Sequence, residues 1–366
     1  MILPPARVVR STAAAGDYPL YVEAGRACAL APLLEDVAPG ARLAVIADAT
    51  VAALHADAVR AGCARPSDLY TFPAGEPSKS VAEWARLTGA LLADGHDRDS
   101  LVIALGGGVT GDLAGFVAAT FMRGVPVVQV PTTLLAMIDS SVGGKTGVNT
   151  PVGKNLVGAF HAPRAVVIDP TLGATLPVRE RAQGLVEAVK HGAIRSAAHL
   201  GRIEDAAAAL LAGDVEETAA VVRDSIAIKA EVVGQDEREA GLRRILNFGH
   251  TIGHALERLS DFALPHGTAV AAGVIAEARL GEALGVSDAG TAERITTALS
   301  ALGLDGEPLT RWPAEAIVAA TRSDKKGKEG RARYVLLERA GMVAPGAGWL
   351  HTPEEEAVVA VLHARG

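Results

Sequence analysis

Residues 101–116, LVIALGGGVTGDLAGF, carry the pattern on which the fold assignment depends. The first five residues form an apolar run that includes Val102 and Ile103, which is typical of a buried strand. Gly106 to Gly108 mark a tight turn, and the residues after them have the composition of a helix. The segment therefore predicts a strand, a glycine turn and a helix in succession.

The same alternation continues on both sides of this segment. Strand patterns occupy residues 41–48, 68–75, 125–135 and 164–170, and helical patterns occupy 50–61 and 80–93. From about residue 177 the patterns are long, alanine-rich and helical, at 178–195, 197–212, 214–234, 244–260, 267–285 and 288–302, with one strand pattern at 331–339. We therefore predict an α/β domain with a Rossmann-like parallel sheet over residues 1–178, followed by a mostly α-helical domain over 179–366.

Composition excludes several classes of protein. The chain has 366 residues and a net charge of −7, so a bulk attraction to nucleic acid or to an anionic membrane is not expected. Cys28 and Cys63 are too few for a disulfide framework, which favours a reducing compartment. The first residues lack the apolar core of a signal peptide, and no stretch has the length of a membrane span. These features predict a cytoplasmic protein.

The glycine turn at residues 106–111 matches the pattern G-x-G-x-x-G after a strand and before a helix. In that context, glycines let the backbone approach a pyrophosphate and direct helix N–H groups towards it. A tight turn without a ligand explains the motif equally well. Asp48, at the end of an earlier strand, is compatible with ribose binding and equally with capping of the next helix.

Two lysines lie among glycines in residues 139–155, DSSVGGKTGVNTPVGKN. No acidic residue separates Lys145 from Lys154, and Arg123 precedes them. A phosphate or a carboxylate is the natural partner for such a set of cations, provided that the glycine backbone folds both ammonium groups towards it. The alternative is a surface loop with ordinary solvated lysines.

A carboxylate and three histidines could form a metal site. Glu187 and Lys190 share one face of a predicted helix among apolar neighbours, so both need partners. His250 and His254 are four residues apart, and His266 follows in a Pro-His-Gly turn. One carboxylate and two imidazoles would give three ligands and an open position. Spacing alone favours the pair His250 and His254 and leaves open which histidine is spare.

Arg243 and Asn247 precede these histidines at helical spacing. On a helix over residues 244–260 they would lie near one face with His250 and His254. Lys229, on an earlier predicted helix, could project towards the same polar stripe. The charge run at residues 324–328 is typical of a solvated loop.

Several motifs closely resemble the 3-dehydroquinate synthase family of sugar phosphate cyclases. They include GGGVTGDLAGF, VPTTLLAMIDSSVGGKTGVN, GLVEAVKHG, LRRILNFGHTIGHALE and HGTAVAAG, in the family's order, and the match runs from about residue 40 to 340. The resemblance implies that the first domain binds NAD and that the second binds a metal and substrate. Thr50 and Thr268 stand where many relatives have Asn and Glu.

Site residues follow from the resemblance position by position. Zn or Co would be held by Glu187, His250 and His266, which leaves His254 for substrate. Catalytic roles are implied for Lys145, Lys190, Arg243, Asn247 and His254, and substrate binding for Arg123, Asn155, Lys229 and, of the pair Lys325 and Lys326, Lys326. NAD contacts are implied for Asp48, Glu76, Lys79, Gly108, Val109, Thr110, Gly111, Asp112, Thr132, Thr133, Asp139, Ser140, Lys145, Lys154, Leu172 and Thr175.

The resemblance implies conversion of 3-deoxy-D-arabino-heptulosonate 7-phosphate to 3-dehydroquinate and phosphate in the shikimate pathway. In the family, NAD oxidises a hydroxyl, phosphate is eliminated, NADH returns the hydride and an intramolecular aldol closes the ring. Such an enzyme is a phosphorus–oxygen lyase, and the family is commonly dimeric, so a homodimer is expected. The alternatives are another cyclase, such as an aminodehydroquinate synthase, a metal-dependent NAD alcohol dehydrogenase, and a binding module without activity.

Overall fold

The computed structural model describes residues 7–9, 16–322 and 331–364 of the chain. Two compact units can be distinguished. The first comprises Met1–Leu176 and Thr218–Glu237, and the second comprises Pro177–Glu217 and Arg238–Gly366. The predicted division at residue 178 lies close to the first change of unit. The sequence pattern gave no indication that residues 218–237 return to the first unit.

A seven-stranded sheet forms the centre of the first unit. The strands of this unit are β1 (Arg7–Val9), β2 (Tyr18–Val22), β3 (Arg42–Asp48), β4 (Ser67–Phe72), β5 (Ser100–Gly106), β6 (Val127–Pro131), β7 (Lys145–Thr150), β8 (Gly153–Phe160) and β9 (Ala165–Ile168). The sheet has the order β1-β2-β9-β6-β5-β3-β4. The six strands β2, β9, β6, β5, β3 and β4 are parallel to one another, and β1 pairs with β2 in the antiparallel sense. The parallel α/β sheet predicted from residues 101–116 and their neighbours is thus confirmed.

Most of the predicted helical patterns are helices in the structure. The helices of the two units are α1 (Ala31–Val37), α2 (Ala49–Val51), α3 (Asp57–Gly62), α4 (Val81–Ala93), α5 (Gly108–Thr120), α6 (Val178–Arg195), α7 (Ala197–Ala212), α8 (Val215–Gln235), α9 (His250–Leu259), α10 (His266–Ala283), α11 (Thr291–Ala301), α12 (Ala314–Thr321) and α13 (Glu355–His363). Of these, α1, α12 and α13 were not predicted. Short 3-10 turns occur at Arg26–Cys28, Glu76–Ser78, Phe121–Arg123, Pro170–Thr175, Leu242–Asn247 and Glu307–Thr310, and π turns at Ala52–Ala56 and Ala136–Ser140. No helix within the described ranges has the length and apolar character needed to cross a bilayer.

The core of the first unit lies on both faces of its central strands. Every residue of β5 is buried, and so are the five central residues of β3. Parallel strands with helices on both faces have this continuous apolar character because neither face meets water. Helix α5 approaches β7 closely because it carries Gly115, where a Cβ atom would lie 2.5 Å from the Thr146 methyl carbon.

The lysine- and glycine-rich segment is a β-hairpin rather than the loop that its composition suggested. Strands β7 and β8 pair in the antiparallel sense, with Gly147 opposite Gly158. A Cβ atom on Gly158 would lie 2.1 Å from the Thr146 carbonyl oxygen. The glycines therefore allow close approach of two backbones, which is a common reason for glycine inside a strand.

Two predicted elements of the second unit differ in the structure. The expected helix over residues 244–260 begins only at His250, since Gly249 has a φ of 79° and residues Leu242–Asn247 form a 3-10 turn. Arg243 and Asn247 therefore precede α9 and do not share its face. Of the strand pattern at 331–339, only β10 (Leu337–Arg339) is a strand, paired with β11 (Met342–Val343).

Asp169, just after β9, ties together two loops of the first unit. This carboxylate is fully buried and accepts hydrogen bonds from the backbone N–H groups of Gly25, Ala27 and Thr171 and from the Thr171 hydroxyl. We predict that Asp169→Ala lowers the free energy of unfolding by about 3 kcal/mol, because several buried donors lose a charged acceptor. Urea unfolding followed by circular dichroism measures this loss.

Asp97→Ala is the matched control, since the exposed Asp97 carboxylate accepts one local bond, from Asp99 N–H. We expect it to cost about 0.5 kcal/mol. Equal losses for the two variants would contradict the anchoring role of Asp169.

Candidate active site

Three side chains of the second unit converge on one point. Glu187 lies in the middle of α6, while His250 and His266 are the first residues of α9 and α10. Nε2 of His250 lies 3.7 Å and Nε2 of His266 3.5 Å from Oε1 of Glu187. One ligand atom from each residue falls within 4.8 Å of the others. The arrangement has the size of a mononuclear metal site.

Glu187 and Lys190 are the most deeply buried charges of this cluster. Each is about 1% exposed, and the Lys190 ammonium group contacts the Glu187 carboxylate. The one-turn spacing of the two residues on α6 places them side by side. A buried carboxylate needs such partners, because burying an unpaired charge costs several kcal/mol.

Both histidines direct Nε2 towards Glu187 because their Nδ1 atoms face acceptors elsewhere. Nδ1 of His250 lies 3.1 Å from the Phe248 carbonyl oxygen, so Nδ1 carries the proton and Nε2 keeps its lone pair. Nδ1 of His266 lies 3.5 Å from Oε1 of the buried Glu257. A metal-binding histidine is commonly oriented in this way through its other nitrogen.

The pKa values of the two histidines shift in opposite directions. Burial, together with the Lys190 charge, lowers the pKa of His250 well below its ordinary value. Burial also disfavours the charged form of His266, but the carboxylates of Glu187 and Glu257 outweigh it and raise the pKa of His266 to about 10. The two carboxylates thus favour positive charge beside His266. A bound divalent cation would balance the same two negative charges.

The donor set suits Zn²⁺ or Co²⁺, which both accept imidazole nitrogen and carboxylate oxygen. His254 lies close by, with its ring centre 5.3 Å from that of His250 and 6.5 Å from that of His266. It is not a member of the converging group. The pairing favoured by spacing alone, His250 with His254, therefore differs from the geometry, in which His266 takes the second position.

Arg243 and Asn247 lie on the 3-10 turn before α9. Arg243 is buried. The Asn247 amide nitrogen donates to Oε1 of Glu239 at 2.7 Å. Glu239 and Glu257 were missed in the sequence, since an acidic residue in a polar loop or near the end of an exposed-looking helix carries no distinctive pattern.

In the first unit, the glycine turn packs against three predicted nucleotide contacts. Cβ atoms added to Gly106 and Gly108 would lie 2.3 Å from the Thr110 hydroxyl oxygen and 3.1 Å from that of Ser140. A Cβ atom on Gly107 would lie 3.0 Å from the Thr133 methyl carbon. Helix α5 begins at Gly108, so its first N–H groups lie at this crowded turn. A phosphate could approach here only along the glycine backbone.

A buried lysine joins two other predicted nucleotide contacts. Nζ of Lys79 lies 3.1 Å from Oδ2 of Asp112 and 3.3 Å from Oε1 of Glu76. Burial opposes the charge on Lys79, but the two carboxylates raise its pKa, so the ammonium group stays protonated. Burial raises the pKa of Asp112 in spite of Lys79. We assign the pair as ionised, because a protonated Asp112 would leave the buried Lys79 charge poorly balanced.

Other predicted residues lie in defined positions of the first unit. Lys229, on α8, donates to the carboxylate and the backbone carbonyl of Asp139. The Asp48 carboxylate accepts from the N–H groups of Thr50 and Val51, so it caps α2. Leu172 and Thr175 lie on one 3-10 turn, and Thr132 follows β6 with its N–H bonded to the Gly106 carbonyl.

The hairpin places at different levels the two lysines for which the sequence suggested a shared anion. Lys145 begins β7 opposite Phe160, whereas Lys154 lies at the turn end of β8. Because Gly153 is opposite Thr150, Lys154 lies about level with Asn149. The two lysines are therefore separated by four residue steps, about 13 Å along the strand. Asn155, next to Lys154, has a left-handed backbone, as does Arg123 at the end of its 3-10 turn. Lys326 lies outside the described residues.

Two solved sugar phosphate cyclases have a closely similar fold. A 2-epi-5-epi-valiolone synthase from Streptomyces hygroscopicus subsp. jinggangensis, solved with NAD⁺ and Zn²⁺, is 27% identical with a TM-score of 0.85, covering 95% of this chain and 97% of its own. A 2-deoxy-scyllo-inosose synthase, solved with carbaglucose-6-phosphate, NAD⁺ and Co²⁺, has the same TM-score at 24% identity, covering 97% and 98%.

Sequence comparison gives a narrower assignment. Two family models, 3-dehydroquinate synthase N-terminal and 3-dehydroquinate synthase C-terminal, match residues 69–183 and 184–327. The 3-dehydroquinate synthase of Symbiobacterium thermophilum is 46% identical over 331 residues, which cover 89% of this chain and 92% of that protein. The chain belongs to the 3-dehydroquinate synthase family.

Single histidine variants distinguish the two possible ligand sets. We predict that His266→Ala weakens Co²⁺ binding by about 100-fold or more, since loss of a direct ligand should exceed the 10- to 100-fold typical of an outer-shell partner. His254→Ala should change the affinity less than about 3-fold, well below that outer-shell range. Titration of metal-free protein followed by Co²⁺ absorption measures both. The reverse order of effects would show that His254 is the ligand.

Proposed function

We propose that this chain is a phosphorus–oxygen lyase that converts 3-deoxy-D-arabino-heptulosonate 7-phosphate to 3-dehydroquinate and phosphate. The observation that carries the proposal is the cluster in which the buried Glu187 carboxylate faces His250, His266 and Lys190. In a chain of this family, such a cluster supplies a metal site and a cation next to each other. Its residues are those that the family motifs predict for metal and catalysis.

The proposal includes NAD and a divalent metal, Zn²⁺ or Co²⁺, as cofactors. Glu187, His250 and His266 would hold the metal, and the glycine turn before α5 would receive the NAD pyrophosphate. When bound, the nicotinamide accepts and returns a hydride and the metal polarises a substrate hydroxyl. Two solved cyclases of this fold contain NAD⁺ together with Co²⁺ or Zn²⁺, which supports the proposal.

The chain's own charged groups would bind and orient the substrate. Lys190 is held in place by Glu187, so its ammonium group is fixed before substrate arrives. Asn247 is oriented by Glu239 in the same way. Lys229 would bind substrate while anchored to Asp139. Preorganised donors of this kind stabilise charge that develops during a reaction without having to reorganise.

Two other enzymes remain as alternatives. An aminodehydroquinate synthase would use an amino analogue of the same substrate with nearly the same residues. A metal-dependent NAD alcohol dehydrogenase would use the metal and NAD but would not need the set of lysines and arginines. The products of the reaction distinguish these two enzymes from the proposed lyase, whereas the geometry of the site does not.

The direct test uses purified protein with NAD and Co²⁺ and three substrates: the heptulosonate 7-phosphate, its amino analogue and sedoheptulose 7-phosphate. We expect phosphate release from the first, dependent on NAD and without net accumulation of NADH. Preference for either of the other two substrates would assign another cyclase. NADH formed in proportion to an alcohol, without phosphate, would assign a dehydrogenase.

Removal of a predicted substrate cation tests the catalytic set. We predict that Lys145→Ala and Arg243→Ala each lower kcat by about 100-fold or more while the protein remains folded, as expected for loss of a preorganised electrostatic contact. Arg339→Ala is the control, because Arg339 is exposed and pairs with its neighbour Glu338. Normal phosphate release by both site variants would exclude these roles.

We also propose that the protein is a homodimer in the cytoplasm. Strand β8 pairs with β7 on one side, and Leu156, Val157 and Phe160 are between 38% and 50% exposed on it. An exposed apolar edge strand is a frequent site of association. Both cysteines are free thiols, which suits a reducing compartment.

A charge on β8 should therefore change the oligomeric state. We predict that Val157→Lys converts the dimer to a monomer, because the added ammonium group would be desolvated in the interface. Light scattering after size-exclusion chromatography measures the mass. Leu54→Lys is the control, since Leu54 is also an exposed apolar residue but lies on the π turn after α2. A wild-type monomer, or an unchanged mass for Val157→Lys, would contradict the assignment.

A further inference from the structure

Glu277, about three turns from the start of α10, has no role in the predicted catalytic set. It is fully buried. Its Oε2 accepts a hydrogen bond from Gly249 N–H at 2.8 Å, and its Oε1 accepts from the N–H groups of Thr251 and Ile252 at 3.1 and 3.2 Å. The carboxylate thus satisfies N–H groups at the start of α9 that have no partner within the helix. Its negative charge also suits a helix N-terminus.

One of these bonds reaches the metal-binding cluster through a single peptide group. Gly249 N–H and the Phe248 carbonyl belong to the same peptide. The N–H donates to Glu277, and the carbonyl oxygen accepts from Nδ1 of His250. Because a peptide group is planar and rigid, the two ends cannot turn independently. Rotation of this peptide away from Glu277 would also withdraw the acceptor that orients the His250 ring.

Close packing against α10 restricts movement of the peptide between Phe248 and Gly249. Gly249 has a φ of 79°, and a Cβ atom there would lie 2.3 Å from a Val274 methyl carbon. A Cβ atom on Gly273 would lie 2.0 Å from the Gly249 carbonyl oxygen. Two glycines therefore allow α9 and α10 to touch where His250 begins α9. Glu277 lies one turn beyond Gly273 on α10.

The geometry points to Glu277 as a positioning residue for the metal site: it fixes the peptide between Phe248 and Gly249, which directs Nε2 of His250 towards Glu187. The inference rests on the proposed metal site. It goes beyond that site because Glu277 touches neither metal nor substrate. Glu277 is also absent from the residues that the sequence predicted for catalysis, substrate binding and metal binding.

Glu277→Gln tests this role with little change of volume. A glutamine side chain has one acceptor oxygen and an NH₂ group that only donates, so it cannot satisfy both Gly249 and the pair Thr251 and Ile252. We expect Co²⁺ affinity to fall by about 10- to 100-fold, the range for loss of a group that orients a ligand. The Co²⁺ absorption spectrum should also change in shape, because the imidazole is no longer held in one orientation.

Glu282→Gln is the matched control. Glu282 lies on the same helix and accepts from Ala292 N–H at 2.9 Å, so it caps α11 as Glu277 caps α9, without a connection to the three metal-binding residues. We expect this variant to lose thermal stability but to keep the wild-type Co²⁺ affinity and spectrum. A purely structural role for Glu277 would give the same result for both variants.

Wild-type affinity and an unchanged spectrum in Glu277→Gln would overturn the inference, even if the variant were less stable. Should that variant fail to fold, Glu277→Asp supplies the same comparison, because it keeps both acceptors on a stem shorter by one methylene. Absence of Co²⁺ binding in the wild-type protein would contradict the proposed metal site itself. The two failures are therefore distinguishable.

Discussion

The second unit depends on one buried carboxylate. Glu187 is almost completely excluded from water, and three groups that carry or accept positive charge surround it, namely Lys190, His250 and His266. An isolated carboxylate would be strongly destabilising in this position, so these partners are a condition for folding as well as for binding. The need to balance this buried charge explains why α9 and α10 begin at the point where α6 passes.

Much of the fold could be predicted from local patterns. The strand at residues 101–105 and the helices from residue 178 onward are recognisable because their apolar periodicity reflects burial directly. Burial of Glu187 and Lys190 followed from their apolar neighbours on α6. The return of residues 218–237 to the first unit could not be foreseen, since the helical pattern of α8 does not indicate which unit it packs against.

The parts of the site that were missed depend on contacts distant in sequence. Helix α9 begins at His250 because Gly249 is left-handed and packs against Val274, and helical spacing contains no sign of this. The hairpin of β7 and β8 looked like a loop because glycines that permit close backbone approach resemble glycines that permit flexibility. The histidine spacing favoured His254 over His266, since a turn residue sixteen positions away carries no periodicity.

The discontinuity of the first unit has a consequence for synthesis of the protein. Its sheet is complete once residue 168 has been translated, but residues 218–235 of α8 follow only after residues 177–217 of the second unit. During translation at about 5 to 20 residues per second, the first unit therefore waits several seconds for its last helix. Lys229 reaches Asp139 only then, so the contact that links these two predicted ligand-binding residues forms late on the ribosome.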